Sequence, residues 1–188
     1  MYVVVEGIDT AGKSTQLDLL KNKYLNAIFT KEPGGTKIGL KLRQMALNGE
    51  AKSKIAEMFL FLADRAEHIH EVIVKNKDKV VISDRSIISG IAYASTFPLE
   101  KMIELNLLAT NNTLPTHAIL LELTPHELRY RLSQKENDAI ELRGIEYLIN
   151  IQNRMKETIK KLGINYIFID AGKKIEEIEK QIEDFLND

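Results

Sequence analysis

Gly7 and Gly12, followed at once by Lys13 and Ser14, are the residues of this chain best suited to chemistry. They fit G-x-x-x-x-G-K-[ST], a loop whose backbone N–H groups wrap phosphate oxygens at a helix N-terminus. Glycine lets the main chain approach a phosphate closely, the Lys13 ammonium reaches β- and γ-phosphates, and the Ser14 hydroxyl suits Mg2+. Gly7, Ile8, Asp9, Thr10, Ala11, Gly12, Lys13, Ser14 and Thr15 together form a candidate nucleoside triphosphate loop. A glycine-rich turn joining a strand to a helix is the competing reading. Context favours the phosphate loop: the apolar run YVVV (2–5) precedes it, and Leu17, Leu20 and Tyr24 follow near helical spacing.

A second group of residues stands further along. Asp84 and Arg85 end the apolar run in VVISDRS; Asp84 is placed to hold Mg2+ through water, or with Ser86 to cap the next helix. Arg85 would repel a metal, and its fork suits a second phosphate, one carried by an acceptor. In KEPGGT (31–36), Pro33 keeps Glu32 extended and Gly34-Gly35 allows a close turn; alone, the segment reads as a plain turn. Met58, Phe61, Leu62 and Arg65 share a helical stripe, which is either core or a base-stacking platform with a guanidinium beside it. His68, His70, His117 and His126 lack metal-ligand spacing and read as structural or solvated.

Positioning these residues requires strands that end on one rim. Apolar β-rich segments at 2–5, 27–30, 79–83, 117–123 and 164–170 alternate with segments of helical period. Such alternation implies an α/β fold, a mostly parallel five-stranded sheet covered by helices on both faces, with ligands at the C-terminal strand ends. The polar stretch 133–144 reads as a short lid or as an exposed helix connection.

Composition narrows the classes. A chain of 188 residues suits one domain over 1–188. Its 26 basic and 27 acidic residues give a net charge of −1, which offers no polyelectrolyte field for nucleic acid or a membrane. Zero cysteines exclude disulfides and thiolate metal sites and suit a cytoplasmic protein. Neither a signal peptide nor an apolar run near membrane-spanning length is visible.

With EGIDTAGKST, TKEPGGT, FLFLADRAEH and SDRSIISGIAY in this order, and IDAGKKIEEI after the last strand, the chain resembles the thymidylate kinases over essentially its whole length. The resemblance implies a P-loop NTPase-type three-layer fold, ATP with Mg2+ as donor, dTMP as acceptor, dTDP as product, and a homodimer. It implies that Asp9 accepts from the 3′-hydroxyl of dTMP and Arg85 holds its 5′-phosphate. Phe61 would stack on thymine, Arg65 and Arg43 would stand near the base, and Tyr93 would lie against the deoxyribose. Glu32 and Ser89 complete the implied acceptor set, and Ser14 and Asp84 the metal set. The apolar face of the 53–75 helix is the implied dimer surface.

Two departures stand out. The Gln that follows Tyr in many members is replaced by Ala94-Ser95. The arginine of the P-loop, or of a lid D-R-x-E, is missing as well: Thr10 and Asp138-Ala139-Ile140-Glu141 occupy those places, leaving Arg131, Lys135 and Arg143 as nearby cations. Two other readings remain. A P-loop kinase for another nucleotide or a nucleoside could use Glu32 as base. A GTP-binding switch would need N-K-x-D, whereas Asn76-Lys77 runs into Asp78-Lys79.

Overall fold

In a computed structural model, which describes residues 1–134 and 143–187, five strands form one sheet in the order β2-β3-β1-β4-β5. They are β1 (Tyr2–Glu6), β2 (Ile28–Lys31), β3 (Val81–Asp84), β4 (His117–Glu122) and β5 (Asn165–Asp170). Every pairing is parallel, and each strand starts within two residues of the run that predicted it. Central position explains the β-branched, uninterrupted apolar character of β1: Val3, Val4 and Val5 are fully buried because helices cover both faces. The edge strand β2 is half-exposed.

Eight helices surround the sheet among the described residues: α1 (Lys13–Lys23), α2 (Lys37–Leu47), α3 (Lys54–His68), α4 (Ile87–Tyr93), α5 (Leu99–Ala109), α6 (Pro125–Leu132), α7 (Ile145–Leu162) and α8 (Ile175–Asn187). Side-chain oxygens of Thr36, Ser53, Ser86 and Thr124 cap α2, α3, α4 and α6 by accepting backbone N–H groups of the first turn. The helix expected over 53–75 is α-helical only to His68. It continues as a π turn, Ile69–Ile73, and a 3-10 turn, Val74–Asn76. The widened turn keeps both Ile69 and Ile73 in the core. No helix among the described residues is long and apolar enough to cross a membrane.

Candidate functional site

The rim at the C-terminal ends of the strands collects the predicted residues. Gly7 must be glycine there: a Cβ would come within 2.9 Å of the Leu121 carbonyl oxygen and 3.1 Å of the Ala11 Cβ. Gly12, at φ 91°, turns the chain into α1, and no side chain caps that helix. Its first N–H groups therefore face the rim as anion donors. Thr10, without glycine's freedom, also adopts a left-handed φ of 68°, backbone strain of the kind concentrated at binding loops.

Lys13 lies across this loop, donating to the carbonyl oxygens of Gly7 at 2.9 Å and Ile8 at 3.1 Å. Burial pushes its ammonium down to about 8, and the neighbouring Arg85 cation pushes the same way. Arg85 follows β3 and is also held left-handed, at φ 67°. Its guanidinium donates to Asp9 at 2.5 Å and to Ser89 Oγ at 3.0 Å, and lies 5.2 Å from the centre of the Tyr93 ring. Burial raises the Tyr93 phenol to about 12, so the ring is neutral beside this cation at physiological pH. Predicted residues Lys13, Asp9, Arg85, Ser89 and Tyr93 thus form one cluster.

Beneath them lies a residue that the motif readings passed over. Glu6, the last residue of β1, is fully buried and accepts from Ser86 Oγ at 2.6 Å and Ser89 Oγ at 2.5 Å. Burial raises its carboxyl above the ordinary value, against the pull of the two hydroxyls and of Arg85 and Lys13. An acid ending an otherwise apolar strand was the available signal.

Ser14 and Asp84 line one end of a cleft of about 390 Å³, which Leu17, Lys21, Phe29 and Gly34 continue. Asp84 Oδ1 is buried without a hydrogen-bond partner among the described residues, and Ser86, not Asp84, caps α4. A hydroxyl and an orphaned carboxylate oxygen at one cleft fit Mg2+, which favours few protein ligands with waters and phosphates completing its shell.

The acceptor-side residues are less uniform. Phe61 is half-buried, whereas its stripe neighbours Met58 and Leu62 belong to the core cluster. Arg65, only 4% exposed, stands 2.5 Å from Glu32 Oε1 and also donates to Asn106 Oδ1. Gly90 lies against its guanidinium, leaving no room there for a Cβ. Glu32, 3% exposed, meets His68 Nδ1 at 3.2 Å, and His68 Nε2 reaches Thr30 Oγ1 at 2.8 Å. Burial works against the Glu32 carboxylate, yet Arg65 and His68 together hold it below the ordinary glutamate value. Asp64 accepts from Gly34 N–H at 2.9 Å, and Arg43 donates to the Pro33 carbonyl at 2.9 Å, so both brace the EPGGT turn. Burial raises Asp64 to about 6. His68, Asp64 and Asn106 are further residues the motif readings missed in this role.

Arg131 sits in the last turn of α6. It donates to Glu127 at 2.7 Å, the Thr10 carbonyl at 2.9 Å and the Ala171 carbonyl at 2.6 Å. It therefore bridges the phosphate loop to the segment after β5. Arg143 lies 5.1 Å from the Tyr147 ring centre. Most of the predicted lid, including Lys135 and Asp138 to Glu141, lies outside the described residues.

A family model described as thymidylate kinase matches residues 5–182. The chain belongs to the thymidylate kinase family. It is 75% identical over 187 residues to the thymidylate kinase of Aliarcobacter butzleri strain RM4018, covering 100% of this chain and 99% of that protein. It is 53% identical to the thymidylate kinase of Wolinella succinogenes, covering 97% and 96%. The crystal structure of thymidylate kinase from Ehrlichia chaffeensis shares the fold, with a TM-score of 0.77 at 24% identity over 100% of this chain and 98% of that one. As a thymidylate kinase family member, the chain is an ATP-dependent nucleoside monophosphate kinase with the parallel-sheet P-loop fold expected from its sequence.

Proposed function

We propose that this chain transfers the γ-phosphoryl group of ATP to dTMP, giving dTDP and ADP on the route to dTTP, as its family does. The observation that carries the reading is the Arg85–Asp9 pair on the same rim as Lys13, a phosphate fork and a hydroxyl acceptor beside a phosphate loop. The attacking group, a phosphate oxygen of dTMP, is already ionised at neutral pH, so no strong general base is needed. Catalysis is positioning and charge neutralisation.

In this scheme Gly7 to Thr15 hold the ATP phosphates, and Lys13 exchanges its carbonyl contacts for phosphate oxygens. Arg85 turns its fork to the dTMP phosphate, Asp9 takes the 3′-hydroxyl, and Tyr93 lies against the sugar. Phe61 stacks on thymine. Ser14 and Asp84 would hold Mg2+, which would supply neutralisation of phosphate charge. Arg65 with Glu32, braced by Arg43, shapes the base pocket from beneath. Arg131 and Arg143 are the cations available in place of the arginines missing at Thr10 and Ala139. A nucleoside kinase using Glu32 as base is the weaker reading, because Glu32 is occupied by Arg65 and His68.

One domain over 1–188 with a lid over 133–144 fits this scheme. Exposed Leu40, Leu47, Ile55 and Phe59 on α2 and α3 support a homodimer through that face. The lack of cysteine fits a cytoplasmic enzyme. A coupled ADP-release assay across dTMP, dUMP, dCMP and thymidine tests the function. Strong preference for dTMP is expected, and equal or greater turnover of thymidine would overturn it.

A further inference from the structure

We infer that Glu6 is a positioning residue for the acceptor-phosphate clamp, holding Arg85 in place through the Ser89 hydroxyl. The inference rests on the assignment of Arg85 to the acceptor phosphate.

A carboxylate buried at the end of a central strand is costly unless its lone pairs are matched. Glu6 is 0% exposed, and its strand is held in register, Glu6 opposite Leu120 of β4, so its position is set by the sheet. It has no lysine or arginine in direct salt-bridge contact among the described residues; its partners are the Ser86 and Ser89 hydroxyls and, at 3.4 Å, the Ser89 backbone N–H. Ser86 donates to Oε1 at 2.6 Å while accepting from Ile88 N–H at 3.2 Å, which ties the carboxylate to the start of α4. Ser89 donates to Oε2 at 2.5 Å and accepts from Arg85 Nη1 at 3.0 Å. The direction of donation is consistent throughout, from Arg85 to Ser89 to Glu6. A carboxylate can only accept, so it fixes the Ser89 proton toward itself and leaves the hydroxyl's lone pairs toward the guanidinium. Arg85 Nη1 is thereby pinned to the scaffold, while Nη2 remains on Asp9 at the rim.

A hydrophobic residue at position 6 would leave the Ser86 and Ser89 hydroxyls without this acceptor, and Arg85 Nη1 with only the more distant Gly7 carbonyl, at 3.3 Å, as an inner contact held in place by the scaffold. Because Arg85, not the phosphate loop, is the group held, the consequence falls on one substrate. Charge-assisted bonds of this kind are strong enough for an about tenfold effect on acceptor binding when one is lost.

The test is Glu6→Gln and Ser89→Ala, each alone and together, in the full-length protein. Melting temperature and separate KM values for dTMP and ATP are the measurements. Glu6→Gln should raise KM for dTMP about tenfold and leave KM for ATP within about twofold, and the double variant should lose no more in total than Ser89→Ala does alone. Loss shared equally by the two substrates, a lowered melting temperature with normal kinetics, or additive effects in the double variant would overturn the inference. Should Glu6→Gln not fold, Glu6→Asp, which keeps the charge but is too short to reach both serines, is read in the same way. If neither folds, Glu6 serves the fold alone and the inference falls. Wild-type turnover of dTMP is the control, since its absence would count against the proposed function and not against this link.

Discussion

Arg85 and Asp9, separated by 76 residues in sequence, meet at 2.5 Å across the junction of β1 and β3. The register Val5 opposite Asp84 delivers them, since each stands just beyond the end of its strand. Arg85→Lys keeps the charge but loses the fork that can hold Asp9, Ser89 and a phosphate together. Its kcat/KM for dTMP should fall on the order of 10²-fold with little change in KM for ATP. A near-normal value would remove Arg85 from the acceptor site.

Lys13 gives a pH signature. Its value lies below the ordinary 10.5, at about 8, so the free enzyme loses the ammonium as pH rises through that value. The profile of kcat/KM for ATP should fall about tenfold per pH unit above that point. Arg85→Ala, by removing a repelling cation, should move the limb to higher pH. A profile flat across this range would overturn the assignment of Lys13 to the phosphates.

Glu32 predicts stability. Removing one partner of a buried ion pair leaves the other charge uncompensated, and Glu32→Gln should cost about 3–5 kcal/mol in urea unfolding at neutral pH. Because the folded Glu32 titrates below its ordinary 4.5, its contribution is present above that value and lost as pH falls through the lower folded value. The gap between variant and wild type should therefore narrow in acid. A gap that is constant with pH would mean that packing, and not charge, is what Glu32 supplies.

Phe61 and Leu62 form a matched pair of neighbours. Phe61→Ala should weaken dTMP by about 1–3 kcal/mol, leave KM for ATP unchanged and barely move the melting temperature. Leu62→Ala, in the core, should instead lose about 2–5 kcal/mol of stability. If Phe61→Ala behaves as Leu62→Ala does, Phe61 is a packing residue.

Arg131 should be the more important of the two described candidate cations. Its guanidinium is fixed against the Thr10 carbonyl at 2.9 Å, while Arg143, just before α7, lies over the Tyr147 ring. A cation serving the transferred phosphoryl contributes about 10³-fold or more in kcat, so Arg131→Ala should be severe and Arg143→Ala milder. A loss of less than about tenfold at Arg131 would move that role to another residue.

How much of this was legible in the sequence depended on distance along the chain. The phosphate loop is local, and its glycines, lysine and hydroxyl announce themselves within a few residues. The strands were equally plain, because burial on both faces demands continuous apolar runs. The network of Glu32, Arg65, His68 and Asn106 was hidden, since its members are brought together from β2's end, α3 and α5 by packing that no spacing rule encodes. Glu6 was concealed differently: it looks like the tail of a motif until its partners 80 and 83 residues away are seen. The π turn after His68 left no mark in a pattern of apolar residues that suits either helix type.

The strand order also divides the enzyme into two nearly contiguous stretches of chain. On one side of β1 lie β3 and β2, with Arg85, Glu32 and the α3 residues, all from before residue 112; on the other lie β4 and β5, with Arg131 and Ala171, all from after it. β1 and its loop border both, and α7 reaches back to pack on α4, where Arg154 donates to the carbonyl oxygens of Ile91 and Phe97. Recombination at the turn over 110–112 would exchange the phosphate loop together with Arg85, Glu32 and the α3 residues between relatives as a single uninterrupted block, with the α4–α7 contact as the seam that must still match. The fold thereby offers a natural crossover point for building chimaeras with altered nucleotide preference.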